Sequence, residues 1–180
     1  MRSRSHRWWW RRAATVAALA MLVALAPELG FGASGDPGAT DPYVAAANDA
    51  GVPLDLLVAV AGAESAYHPW ALDIEGRQVF CKTRAEAENV LANTATTNVD
   101  IGVMQINWRF WGPRLGVAKN DLLDPRINLL MGARILRESL SRGGSMWHRI
   151  SNYHSGAPRE RDRYNQQVYE AYLRYLNGQL

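Results

Sequence analysis

The sequence predicts a mainly α-helical domain, α+β in class, with one small β-hairpin element. Three observations predict it. Helix-start signals recur along the chain, at Asp41-Pro42, Pro53, Thr83 with Glu86, Asp124-Pro125 and Ser145. One stretch, "ALDIEGRQVF" at residues 71–80, alternates about the turn-forming pair Glu75-Gly76. Among 180 residues Cys81 is the single cysteine, so no internal disulfide can close and packing must hold the core.

The elements follow in order. Residues 1–33 read as a secretory signal peptide. Arg2, Arg4, Arg7, Arg11 and Arg12 precede an uncharged run, "AATVAALAMLVALA", and a small-residue exit. That run, residues 13–26, rises about 21 Å as a helix, short of the roughly 30 Å hydrocarbon core. Pro27 disfavours cutting after "ALA" at 24–26, so cleavage is expected after Ala33, leaving no stable membrane anchor. "SGDPGAT", residues 34–40, is a flexible lead-in to a domain spanning 41–180. Asp41 caps a first helix, which Gly51 ends. Pro53 starts a second helix with Leu54, Leu57, Val58 and Ala61 on one broad face. The 71–80 hairpin comes next, then a helix opened by the Thr83/Glu86 capping box. Asp124-Pro125 starts a longer helix to about Arg142, and Gly143-Gly144 stop it. Ser145 caps a helix to about His154 that Gly156 closes, and a last helix covers roughly Arg159 to Asn177.

Charge excludes one class of partner. The full chain is +3 with pI near 9.2. Residues 1–33 hold five Arg and one Glu, which leaves 15 basic and 16 acidic residues in the other 147, a net of −1. The basic character departs with the signal, so nucleic acid is not an expected partner. No glycine-rich phosphate loop is present, and His68, His148 and His154 lack zinc-helix spacing. Nothing near Cys81 in sequence would activate a thiol, and no nucleophile-elbow motif occurs. No cofactor and no metal are expected.

"LLVAVAGAES", residues 56–65, carries a carboxylate out of an apolar run. On a helix Glu64 shares a side with Val60 and Leu57. Desolvation and the negative helix end both favour the neutral acid there, the form a proton donor needs. A solvent-facing glutamate at a helix end is the competing reading.

Three further segments bear on that choice: "NVDIGVMQIN" at 98–107, "SNYHSG" at 151–156 and "RYNQQV" at 163–168. Together with Glu64-Ser65, over residues 41–170, they resemble the lysozyme-like superfamily, and within it the small exported lytic transglycosylases of the invasion-protein and conjugation type. The resemblance implies a helical domain whose hairpin lines a substrate cleft. It implies Glu64 as the catalytic acid and Ser65 as the hydroxyl supporting it. Gly102, Met104, Gln105 and Asn107 match the wall that holds the sugar chain. Tyr153 matches a tyrosine near the catalytic carboxyl, and Tyr164 the tyrosine of the late helix. Two positions depart: the family usually has asparagine where His154 stands, and tyrosine-valine where Tyr164-Asn165 stand. A surface histidine at a helix end and a substrate contact are both open for His154.

Asp100 stands two residues before Gly102, where animal lysozymes, which resemble this stretch, carry a second carboxylate. It either supports the developing sugar cation or has a structural role in a strand or turn. Trp70, Trp108, Phe110 and Trp111 flank the catalytic segments. For Trp108 and Trp111, sugar stacking and core packing stay equally open. Trp147, Tyr169, Tyr172 and Tyr175 are expected to pack.

The family implies cleavage of the MurNAc–GlcNAc β-1,4 bond of peptidoglycan glycan strands, with a 1,6-anhydro product, in the periplasm or outside the cell. Local wall opening for a secretion, pilus or conjugation apparatus is the implied setting, and components of that apparatus the implied partners. A lysozyme-type hydrolase using Glu64 and Asp100, and a weakly active sugar-binding assembly protein, are the alternatives.

Overall fold

The computed structural model describes residues 40–154 and 158–179. The predicted signal, most of the lead-in and the turn at Gly156 lie outside the described residues.

The helices with a predicted side-chain cap begin where that cap places them. Asp41 accepts from the Tyr43 and Val44 amides to start α1 (Pro42–Ala50), and Gly51 closes it with φ 64°. Asp124 does the same for α5 (Pro125–Ser141), accepting from Arg126 and Ile127. At α3 (Arg84–Ala92) the predicted box is displaced by one residue: Thr83 Oγ1 accepts from Glu86 N at 3.2 Å, but the Glu86 carboxylate reaches Lys82 N at 2.7 Å. α6 (Met146–His154) and α7 (Pro158–Leu176) complete the predicted helices.

The second helix, α2 (Leu54–Ser65), differs from its prediction. Leu56 through Ala61 are buried on every side. A helix apolar all round belongs at the centre of a fold, and α2 packs most extensively against α7. Gly62 permits that approach, because a Cβ there would collide with Tyr67 and press on Ala171.

The hairpin is half of a larger sheet. β1 (Ala71–Ile74) and β2 (Arg77–Phe80) turn at Glu75 (φ 49°) and Gly76 (φ 90°), the two left-handed residues a tight hairpin needs. β3 (Val99–Ile101) and β4 (Ile106–Asn107) add a second hairpin, giving an antiparallel order β2-β1-β3-β4. Strands this short carry too little alternation to be read from sequence. Also unpredicted are α4 (Trp108–Leu115), which Asn107 caps by accepting from Phe110 N, and a 3-10 turn at Lys119–Leu123. Register sets Asp73 opposite Asp100 and Asp100 opposite Asn107, which puts the three on one face of the sheet.

The turn between β3 and β4 is held from α5. Asn128, fully buried, accepts from Met104 N at 2.8 Å and donates to the Ile101 and Leu122 carbonyls at 2.9 and 2.8 Å. Gly102 must be glycine: its φ is 77°, and a Cβ would overlap the Asn128 amide. Cys81 is buried and free; burial, then the Glu86 charge, pushes its thiol above the ordinary range.

Aromatic placement corrects one expectation. Trp147 is 42% exposed, set edge-on to the exposed Tyr169 at 5.7 Å, so neither ring is core. Tyr172 does pack, and its hydroxyl donates to Asp55 at 3.2 Å.

Asn128→Ala strips three buried backbone groups of their partner. Urea denaturation is expected to show a loss of roughly 3 kcal/mol or more. A loss under about 1 kcal/mol would mean the turn is held by something else.

Candidate active site

Glu64 is the penultimate residue of α2, and its side chain is 7% exposed. A carboxyl so placed is shielded by the apolar helix behind it and faces aromatic neighbours. Tyr153 comes from α6 and Tyr164 from α7. Both phenols are held well above their usual range, by burial first and by the Glu64 charge second; Asp100 adds to the effect on Tyr153. Glu64 therefore acts on both tyrosines, which act on each other, and Asp100 reaches Tyr153. Tyr164 also lies near the Glu64 carboxyl, though among the described residues its buried hydroxyl completes no hydrogen bond of regular geometry.

His154 belongs to this group and is not a surface residue. Its ring is 11% exposed and stacks on Tyr164, with centroids 4.5 Å apart and planes 11° from parallel. Its Nδ1 stands 3.8 Å from Glu64 Oε1.

The segment 102–105 forms the neighbouring wall, and most of its side chains face inward. The Ser65 hydroxyl has one proton, and donates it to Val103 O at 2.8 Å; its contact with Ala61 O, at 3.4 Å, is secondary. Ser65 thus fastens the end of α2 to the turn. Met104 is fully buried against Gly132, while its carbonyl accepts from the Tyr153 hydroxyl at 2.8 Å. Gln105 takes φ 46°, a conformation that costs a non-glycine residue about 1 kcal/mol or more. Its amide answers that strain by donating to Ala71 O and Gly102 O at 3.1 and 2.9 Å. From Ser65, Gly102, Met104 and Gln105 the site receives a fixed backbone more than free side chains.

Asp100 and Asn107 face each other across the strands. Asn107 Nδ2 donates to Asp100 Oδ1 at 2.7 Å and to Asn98 Oδ1 at 3.1 Å, while Asn107 Oδ1 caps α4. One side chain therefore both starts a helix and aims a carboxylate. Beyond it, Trp108 lies over Gly112 and, with Thr97, Arg109 and Pro113, lines an open cavity of about 250 Å³. Phe110 is exposed, edge-on to Trp111 at 5.0 Å, with the Arg114 guanidinium 4.5 Å above its ring. Trp70 packs against the core.

Two positions beside the site were not assigned from the sequence. Asn128 had one signal, an amide within the apolar stretch "INLLMGA" of a helix that otherwise buries aliphatic side chains. For His154 the sequence left a surface place and a substrate contact both open, and only the packing of α6 on α7 turns it toward Glu64. Among the described residues no group of three or more His, Cys, Asp or Glu side chains could hold a metal ion.

An acid buried at the end of a central helix, beside a glycine-led turn and two tyrosines, is the arrangement of a lytic transglycosylase, an enzyme of lysozyme-like fold. The chain belongs to the transglycosylase SLT domain family, which it matches over residues 41–175. It is 31% identical over 132 residues to Invasion protein IagB of Salmonella typhimurium, strains SL1344 and LT2, with 69% of each chain covered. Invasion protein IagB of Salmonella typhi is 30% identical over 126 residues, with 66% of each covered. No solved structure matches the chain.

Tyr153→Phe keeps the ring and removes only its bond to Met104 O. Equilibrium unfolding should register a loss of about 1–2 kcal/mol, because a buried carbonyl loses its donor. An unchanged midpoint would show that the bond contributes nothing to the turn.

Proposed function

We propose that the protein cleaves the MurNAc–GlcNAc β-1,4 bond of peptidoglycan without water, leaving a 1,6-anhydro end. The observation that carries this is the Glu64 carboxyl, 7% exposed and ringed by Tyr153, Tyr164 and His154. In this reading the protonated Glu64 donates to the glycosidic oxygen as the C1–O bond breaks. The sugar's own acetamido group meets the cationic centre. The carboxylate then takes the proton of the 6-hydroxyl as O6 closes on C1, and Glu64 is neutral again. One carboxyl serves both transfers. Tyr153 and Ser65 hold the 102–105 backbone against which the glycan lies, and Asn107 with the Trp108 cavity extends that wall.

A second reading, lysozyme-type hydrolysis, is favoured by one feature. Asp100 lies near enough to act on Tyr153 as Glu64 does, and Asn107 orients it. A second carboxylate in that place would support the cation while water completes the reaction. Residues 1–33 act as the export signal in this proposal, and the enzyme works in the periplasm or beyond it. The printed name of the relatives, an invasion protein, supports local wall opening for an envelope-spanning apparatus.

Digestion of purified sacculi, with products weighed by mass spectrometry, tests the proposal. Anhydro ends are expected from the wild type. Glu64→Gln is expected to lower turnover by about 10²–10⁴-fold. Reducing ends would establish the hydrolase, and no products at all would leave only a sugar-binding protein. Asp100→Asn should retain anhydro product if Asp100 is scaffold, and should lose rate with Glu64 intact if it supports the cation.

A further inference from the structure

We propose that His154 is a positioning residue for the Glu64 carboxyl, an ionisable neighbour that sets the pH range over which Glu64 keeps the proton it donates. The inference rests on Glu64 being the acid.

Geometry carries it. Nδ1 lies 3.8 Å from Glu64 Oε1, and both side chains are nearly out of solvent, at 11% and 7% exposure. Water screens such a pair far less than a surface pair. The ring stacks on Tyr164 at 4.5 Å, nearly parallel, which fixes the edge it presents to the carboxyl. His154 is the last residue of α6, and Glu64 is one residue from the end of α2. Two helix C-termini, each carrying partial negative charge, therefore converge on the acid, and a protonatable ring stands between them. Among the described residues, the titratable groups seen against His154 include Glu64 from α2 and Tyr164 from α7; Glu64 also acts on Tyr153, as does Asp100 from β3. The tyrosines stay neutral throughout the working range, so Glu64 and His154 are the members that exchange charge.

The sign follows from the charges. An imidazole changes charge between about pH 5 and 8. When His154 is protonated, its charge favours the Glu64 carboxylate over the acid, so Glu64 regains its proton only at lower pH. When His154 is neutral, that pull is gone. His154 gives no proton to substrate and takes none. Glu64 donates one to the glycosidic oxygen and recovers one from the 6-hydroxyl, and the imidazolium stabilises the carboxylate that exists between the two transfers. An asparagine, which the family usually carries at this position, has no charge to couple.

The test is the pH–rate profile of sacculus digestion for wild type, His154→Asn and His154→Phe. In His154→Asn the alkaline half-activity point should rise by about 1 pH unit, with KM within about twofold of wild type. His154→Phe keeps a ring on Tyr164 without the charge. It should shift the same way, and it preserves the test if the asparagine variant folds poorly. A purely structural role would lower the rate without moving the profile, so profiles that coincide with wild type overturn the inference. A second readout needs no turnover. Followed by NMR, the His154 ring should titrate at lower pH in Glu64→Gln than in wild type. Coincident curves overturn the pairing even in an inactive protein. A wild type that releases no muropeptides while its NMR curves separate would overturn the catalytic reading and leave the pairing standing.

Discussion

Asn128 sits in the first turn of α5 and commits its whole amide to the backbone of other segments. The reason is a general one: irregular backbone can be buried only if its polar groups find partners inside the protein. The turn at residues 102–105 is such a backbone. Its side chains Val103 and Met104 are core, so the turn cannot lift toward water. Asn128 supplies what water would have supplied. Around that clamp, Ser65 from α2, Tyr153 from α6 and Ala71 from β1 each bond the same turn or its Gln105 side chain. Segments from four elements are locked together over four residues.

That lock explains how a helix end becomes an acid site. Ser65 is fixed to Val103, so its neighbour Glu64 cannot swing outward as the last turn of a helix usually can. Tyr153, fixed to Met104, stands against the same carboxyl. Ser65 and Tyr153 are held by bonds made to the turn, while Tyr164 and His154 lie against the carboxyl itself.

The arrangement lowers stability in several places. Tyr67, Trp70, Arg149 and Asn165 each bury a polar atom for which the described residues offer no partner, and such atoms cost about 1–3 kcal/mol when no water reaches them. Gln105 adds backbone strain.

Local chemistry is what the sequence determined by itself. Caps at Asp41, Thr83, Asp124 and Ser145 started their helices as read, because a cap acts within four residues. The Glu75-Gly76 turn was legible for the same reason. So was the apolar run leading into Glu64, and so, through family resemblance, were the segments around Gly102, Tyr153 and Tyr164. The tertiary structure alone decided the rest. β3 and β4 exist because β1 and Asn128 complete their hydrogen bonds, not because two or three residues prefer extension. Trp147 could not be assigned to core or surface without knowing which face of α6 meets α7. His154 reaches Glu64 across ninety positions of chain through that same contact. Caps and turns are fixed by neighbours along the chain, whereas burial and charge pairing are fixed by neighbours in space, and only folding brings those together.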